Sequence, residues 1–253
     1  MKIIDGNNML HRSTEATGFG IHPVRQVYTR LCSPPETTII VWDGPYANQR
    51  RKEIYPKYKE NRRPKEESKM AFFDIAKGVL RFTPCIQIEC KGWEADDVIG
   101  TLIERYHDQH KITVETNDGD YWQHKDKCSL PMISKKWHSF TAEDCLLYKS
   151  LVGDSKDGIP GIQGFGEMSW LRLSPTAKSH LRVAIKTDSY STFLAIEDWP
   201  PKVQRTLECF ESLKLYWKLN KYWTVPQKEI DDAVFVGKLN IPAAEIFMES
   251  YLI

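Results

Sequence analysis

The sequence predicts an α/β fold, a mostly parallel sheet interleaved with helices and followed by a helical region. Three observations predict it. Four short apolar runs, Lys2–Asp5, Thr37–Trp42, Cys85–Cys90 and Lys111–Thr116, have strand length and β-branched character. Segments with helical apolar spacing separate them, and strands alternating with helices imply parallel neighbours. Beyond residue 140 the patterns read as helices joined by a glycine-rich turn. The 253 residues suffice for such a domain, divided here into a core over 1–140 and a helical region over 141–253.

Taken in order, Lys2-Ile3-Ile4-Asp5 is a buried strand with an acid at its carboxyl end, and Gly6-Asn7-Asn8 reads as a turn. Residues 9 to 32 are helical in part. Gly18 and Gly20 mark a loop, and Pro23 can open a second helix because the first position needs no N–H. The second strand runs into Asp43-Gly44-Pro45.

Residues 49 to 65 hold the sharpest charge asymmetry. Arg50, Arg51, Lys52, Lys57, Lys59, Arg62, Arg63 and Lys65 stand against Glu53 and Glu60, with Tyr55 and Tyr58 between them. Cations with exposed aromatics suit phosphate contact and base stacking. The plainer alternative is a solvated helix, but Pro56, Pro64 and the missing apolar face oppose a packed one.

A helix over 69–81 places Phe72, Phe73, Ile75, Ala76, Val79 and Leu80 on its core face. The alternating strand Cys85–Cys90 leads into Lys91-Gly-Trp-Glu-Ala-Asp-Asp97. A helix from about Glu94 to Tyr106 follows from the stripe Val98, Ile99, Leu102, Ile103 and Tyr106. Glu94, Asp96 and Asp97 open it; alone, they would merely suit the helix dipole. After the strand at 111–116, Asp118 and Asp120 flank Gly119, a pattern for a turn or a metal site.

A helix over 141–152 has Thr141 as N-cap and Asp144 in the capping-box position. Then five glycines fall within residues 153–166, a stretch that also carries Asp154 and Asp157. Such a loop can bring its backbone close to a phosphate or an ion, or can simply connect two helices. Helical patterns recur around 181–185, 203–219 and 243–252, with Pro200-Pro201 between two of them. Phe210, Trp217 and Trp223 read as core.

Composition bounds the partners. The net charge of +1 gives no global case for nucleic acid, so any such case must be local. The six cysteines form no C-x-x-C pair, which opposes a zinc ribbon and fits reduced thiols in a cytoplasm. No leader and no apolar run of membrane length is evident.

The topology explains the acids. Parallel strands present their carboxyl ends at one edge, where sites form. Asp5, Asp43, Asp118 and Asp120, with the Glu94–Asp97 turn, gather there, and Asp154 and Asp157 can join from the glycine-rich loop. Clustered carboxylates raise one another's pKa, and divalent cations relieve the repulsion. All-oxygen ligands favour Mg²⁺ or Mn²⁺ over zinc. So many acids exceed the needs of one ion and suggest two-metal phosphodiester hydrolysis. No Ser/His/Asp or Cys/His constellation competes, and G-x-x-x-x-G-K-[ST] is absent, against NTP hydrolysis. A haloacid-dehalogenase phosphatase would want D-x-D-x-T, which Asp5-Gly-Asn-Asn does not supply.

The motifs Ile4-Asp5-Gly6-Asn7, Trp42-Asp43-Gly44, Arg51 before Tyr58-Lys59-x-Asn61-Arg62, Glu94-Ala95-Asp96-Asp97, Asp118-x-Asp120-x-x-Gln123 and Gly153-Asp154-x-x-Asp157-x-Ile159-Pro160-Gly161-x-x-Gly164-x-Gly166 follow one another in order. As an ordered set they resemble the 5′-nuclease family: phage 5′→3′ exonucleases, flap endonucleases and the 5′-nuclease domain of bacterial DNA polymerase I. The resemblance implies a PIN-like nuclease core, a helical arch over 46–70 and a helix–three-turn–helix. It assigns Asp5, Asp43, Glu94, Asp96 and Asp97 mainly to a first Mg²⁺ or Mn²⁺. Asp118, Asp120, Asp154 and Asp157 fall mainly to a second, some through water. Lys59 and Arg51 would hold the scissile phosphate and Tyr58 would stack near the reacting nucleotide. Lys57 and Arg62 would touch DNA from the arch. The turn with Gly161, Gly164 and Gly166 would grip duplex phosphates and hold a K⁺ through carbonyls.

The implied protein is a monomeric, stand-alone 5′→3′ exonuclease and 5′-flap endonuclease. It would act on DNA with a 5′ end or flap, and on RNA primers in hybrid duplex. Its place would be the cytoplasm, the host's if it is phage-encoded, with no membrane partner. Two departures qualify this. Glu167-Met168-Ser169-Trp170 stands where the family usually has lysine and small residues, and the segment after 170 fits the family poorly. The alternatives are a PIN-type ribonuclease, which usually lacks the basic segment and glycine loop, and a non-catalytic flap-binding protein, which gains nothing from so many acids beside phosphate.

Overall fold

The structure, a computed structural model, describes residues 1–15, 22–62 and 67–253. In chain order the elements are β1 (Lys2–Asp5), α1 (Gly6–Glu15), α2 (Pro23–Leu31), β2 (Thr38–Asp43), α3 (Gln49–Ile54), α4 (Glu67–Leu80), β3 (Ile86–Cys90), α5 (Ala95–Tyr106) and β4 (Thr113–Glu115). There follow α6 (Ala142–Val152), α7 (Glu167–Arg172), α8 (Pro175–Thr187), α9 (Tyr190–Leu194), α10 (Leu207–Asn220), α11 (Gln227–Asp231), β5 (Val234–Val236) and α12 (Ile241–Glu249). The chain forms two compact units: Met1–Arg50, Pro64–Ser134 and Trp223–Ile253 make the first, Arg51–Arg63 and Lys135–Tyr222 the second. Residues 223–253 thus belong with the sheet rather than with the helical region, and 51–63 with the helices.

The first unit is built on a five-stranded sheet in the order β4-β1-β2-β3-β5. The β4–β1, β1–β2 and β2–β3 pairs are parallel, and β5 joins β3 antiparallel. Ile3, Ile4, Ile40 and Val41 are fully buried, as strands covered on both faces require. β5 has three residues, too few for any periodicity to announce it.

The turn expected at Gly6-Asn7-Asn8 is instead the first turn of α1. Asp5 makes this abrupt junction possible by accepting the Asn8 N–H at 3.0 Å, as an N-cap side chain does. A Cβ on Gly6 would lie 2.5 Å from the Trp42 ring, so glycine alone fits. Pro23 does open α2. The loop assigned to Gly18 and Gly20 lies outside the described residues, as do Arg63, Lys65 and part of the 46–70 arch.

Glu115 has a role its place in the strand pattern does not reveal. Its carboxylate, 9% exposed, receives Lys2 at 2.6 Å, Arg12 at 3.0 Å and Arg30 at 2.6 Å. Burial pushes this acid up, but the Lys2 and Arg30 contacts outweigh it and hold the pKa at about 2. The stabilisation is therefore complete above the ordinary value of 4.5 and lost as pH falls toward 2. Glu115→Gln is expected to cost about 2–4 kcal/mol at pH 7, because it strands cations around a buried site. Urea unfolding at pH 7 and pH 3 checks this, and the gap between the two proteins narrows at the lower pH.

The second unit is helical. Its core unites Leu147, Leu151, Leu181, Phe193, Phe210 and Leu213. Thr141 caps α6 by accepting the Asp144 N–H at 3.1 Å, while the Asp144 carboxylate goes to Arg182 at 2.6 Å instead of back to the cap. The helical patterns at 181–185 and 203–219 become α8 and α10, and α10 begins only after Thr206 caps it. The pattern at 243–252 becomes α12, in the first unit. Phe210 is core as expected, whereas Trp217 is only partly buried.

Among the described residues no helix is long and apolar enough to cross a membrane. All six cysteines are free thiols.

Candidate active site

The parallel sheet places Asp5 and Asp43 at the carboxyl ends of adjacent strands β1 and β2. Asp118 follows β4 on the other side of β1. Glu94 is the N-cap residue of α5, which places Asp96 and Asp97 in its first turn. Asp5, Glu94 and Asp97 are buried, at 6%, 4% and 1% exposure. Burial pushes the Asp5 carboxyl up, the Asn8 amide draws it down, and the Asp43 and Asp118 charges push it up again, to about 7. The Asp43 and Asp118 charges thus lie close enough to Asp5 to disfavour its ionised form.

Asp5, Asp43, Asp96, Asp97 and Asp118 are each held by a donor. Asp43 accepts the Ala95 N–H at 2.9 Å through Oδ1 and the Asn7 amide through Oδ2. Asp5 accepts the Thr116 hydroxyl at 3.2 Å. The Tyr121 hydroxyl donates to Asp96 at 2.6 Å, and the Trp223 N–H to Asp97 at 2.8 Å. Asp118 accepts the Asp120 N–H at 3.1 Å, the Asx turn that suits this spacing. Asn7, Thr116, Tyr121 and Trp223 were not singled out for such roles by the sequence, since their link to the acids is purely spatial. Gly44 allows the close packing beside Asp43, since a Cβ there would sit 1.8 Å from the Cys90 carbonyl oxygen.

Among the described residues no three carboxylate, imidazole or thiol side chains form a ready-made cage around one point. The donor set nevertheless fits a hard divalent cation. It is all oxygen, partly desolvated, and contains an acid, Asp5, whose charged form is disfavoured by burial despite two hydrogen bonds.

In the second unit Asp154 caps a 3-10 turn over Ser155–Asp157, of which Asp157 is the last residue. Burial raises Asp154, but Lys149 at 2.7 Å outweighs it and holds the acid below the usual carboxylate range. The basic segment closes on Asp157: Tyr58 donates its hydroxyl at 3.1 Å, Arg62 pairs at 2.6 Å, and Lys59 lies at 3.7 Å. The exposed aromatic expected for base stacking is absent at Tyr58, which is 2% exposed and part of the helical core. The cause is its apolar ring, which packs beneath Arg51 at 5.8 Å. Arg51 is itself buried, donating to the Leu219 and Lys221 carbonyls at 3.1 and 3.2 Å. Lys57 is exposed.

The glycine-rich turn joins α6 to α7. Gly161 has φ +72°, and a Cβ on it would meet the Gly153 nitrogen at 2.5 Å. Gly164 also has positive φ. Gly166 is extended and begins α7 without such a constraint.

A family model described as 5′-3′ exonuclease, N-terminal resolvase-like domain, matches residues 1–146. The chain belongs to the 5′-3′ exonuclease family. A 5′-3′ exonuclease of Aquifex aeolicus is 27% identical, with 99% of this chain and 93% of that protein aligned. DNA polymerase I of Caldicellulosiruptor bescii is 29% identical over 68% of this chain. The match spans only 24% of that polymerase's length. Among solved structures, T5 5′-exonuclease with bound divalent metal ions (zinc) superposes with a TM-score of 0.58 at 20% identity, covering 100% of this chain and 98% of that one. The bacteriophage T5 flap endonuclease, solved as a pseudo-enzyme–product complex with DNA and metal ions, gives 0.57 at 17% identity, covering 99% and 97%. The exonuclease family's α/β fold with a mostly parallel sheet is therefore the fold of this chain.

Proposed function

We propose that this member of the family is a metal-dependent 5′→3′ exonuclease and structure-specific 5′-flap endonuclease that hydrolyses DNA phosphodiester bonds. The observation that carries the reading is the gathering of Asp5, Asp43, Asp118 and the Glu94–Asp97 turn at the carboxyl edge of the sheet, where burial and the Asp43 and Asp118 charges push the Asp5 carboxyl up. An acidic rim of this kind serves divalent cations and repels a phosphate without them. Related structures hold divalent ions and DNA.

Asp5, Asp43, Glu94, Asp96 and Asp97 would hold one Mg²⁺ or Mn²⁺. Asp118 and Asp120 would serve a second, and Asp154 and Asp157 are assigned to that second ion on the family motif. When bound, such ions supply Lewis acidity for activating water and for stabilising the leaving oxygen. Asn7, Thr116 and Tyr121 fix the orientations of Asp43, Asp5 and Asp96. Lys59 supplies a desolvated cation for the scissile phosphate. Arg51 anchors the start of the basic segment through its carbonyl contacts while belonging to the same phosphate-holding motif. Lys57 and Arg62 would contact DNA. The Gly161–Gly166 turn would approach duplex phosphates, with K⁺ at its carbonyls. DNA with a 5′ end or flap, and RNA primers in hybrid duplex, are the substrates proposed for a cytoplasmic monomer.

The test is cleavage of a 5′-labelled flap duplex with Mg²⁺ and with EDTA. Metal-dependent cutting near the junction supports the proposal. Binding without cutting in Mg²⁺ or Mn²⁺ contradicts it and favours the non-catalytic alternative.

A further inference from the structure

Asp97 is 1% exposed, and its Oδ1 accepts an N–H from a distant part of the chain, Trp223, at 2.8 Å. The segment that carries this amide is pinned along α5 at four-residue spacing. Thr101, one turn after Asp97, is 3% exposed. Its hydroxyl donates to the Asp97 carbonyl at 2.7 Å and accepts the Val225 N–H at 2.9 Å. Arg105, one turn further, donates to the Val225 carbonyl at 2.7 Å and to Gln227. Asp97, Thr101 and Arg105 therefore form one ridge of the helix, and residues 223–227 lie along it as a strap.

The chemistry of threonine suits this role. A helical threonine returns its proton to the carbonyl four residues back, which leaves its oxygen lone pairs facing outward. Here they meet a backbone N–H that would otherwise be buried without a partner, Val225 being 0% exposed. The strap is thereby fixed in register, and its first amide is delivered to Asp97. A carboxylate can rotate about its last bond; an amide on one oxygen restricts that rotation.

We propose that Thr101 is a positioning residue for the metal-holding rim: by pinning the Trp223–Val225 strap, it sets the orientation in which Asp97 meets a divalent cation. The inference rests on the reading of Asp97 as a ligand. Outer partners of metal ligands typically change affinity by about 10–100-fold when removed.

The experiment uses the full chain. Mn²⁺ binding is measured by calorimetry and by the loss of free-ion electron paramagnetic resonance signal, for wild type, Thr101→Val, Thr101→Ser and Asp97→Asn. The expected result is an affinity about 10-fold weaker in Thr101→Val, near wild type in Thr101→Ser, and lost or sharply reduced in Asp97→Asn. The Mg²⁺ concentration for half-maximal flap cleavage should rise in the valine variant, with turnover recovering at saturating Mg²⁺. A valine variant that melts earlier but binds Mn²⁺ as wild type does would overturn the inference alone. Unchanged binding in Asp97→Asn would overturn the ligand reading beneath it. If Thr101→Val does not fold, amide exchange in the native protein decides. Mg²⁺ should slow exchange at Trp223 and Val225 more than at the amides of α10, and no such difference would overturn the proposal.

Discussion

Replacing Asp96 and Asp97 together by asparagine is expected to lower cleavage by at least about 10³-fold while leaving the fold intact. Removing a single preorganised electrostatic partner of a transition state typically costs 10²–10³ in rate, and here two of the acids proposed to hold one ion are removed. Asparagine keeps the acceptor oxygen that the Trp223 amide uses at Asp97 and that the Tyr121 hydroxyl uses at Asp96. The substitutions also subtract two negative charges from a rim that carries Asp5, Asp43, Glu94 and Asp118 as well. Metal-free thermal stability should therefore hold or rise. Rates on the 5′-flap duplex, paired with circular dichroism melting, make the check. Turnover within a few-fold of wild type would refute the assignment of these acids.

Lys59→Ala is expected to slow cleavage by about 10²-fold or more, while flap binding weakens only about 3-fold. Lys59 is 8% exposed, with its ammonium 4.9 Å from the Tyr58 ring centre and 3.7 Å from Asp157. A cation already removed from water acts on a phosphoryl oxygen more strongly than a hydrated surface lysine. Its backbone sits at φ +53°, and its N–H donates to the Asp157 carbonyl at 2.8 Å, so the main chain is anchored independently of the ammonium. Single-turnover rates and equilibrium binding in Ca²⁺ separate the two quantities. Equal loss of rate and affinity would make Lys59 an ordinary backbone contact.

What the sequence made legible follows from the physics of each signal. β1 to β4 were readable because they are short β-branched or alternating runs of strand length, and parallel order then dictates one edge for Asp5, Asp43 and Asp118. The acidic rim needed no side-chain geometry to be foreseen. Its supports did. Tyr121 and Thr101 look like core residues in a sequence, and only folding brings their hydroxyls to Asp96 and to the strap beside Asp97. Trp223 contributes through its backbone, which no residue type encodes.

The basic segment misleads in a different way. Charge runs usually stay hydrated, yet Arg51 is buried on two carbonyls and Tyr58 is drawn into apolar packing. Long-range partners, invisible to local charge counting, decide those positions. Glu115 is similar, because its three cations come from β1, α1 and α2. β5 escaped because three residues carry no period, and its antiparallel place depends on β3.

The most direct measurement of the central claim, that the rim holds divalent cations, is thermal unfolding of the metal-free protein against MgCl₂ or MnCl₂, with NaCl at matched ionic strength as control. Ligand that binds only the native state stabilises it by about 2.7 kcal/mol at a hundredfold excess over Kd. A saturable rise in Tm with Mg²⁺ or Mn²⁺ beyond the NaCl control, abolished in the Asp96→Asn/Asp97→Asn protein, is the predicted result. A melting temperature indifferent to divalent ions, or an equal rise in both proteins, would contradict the account.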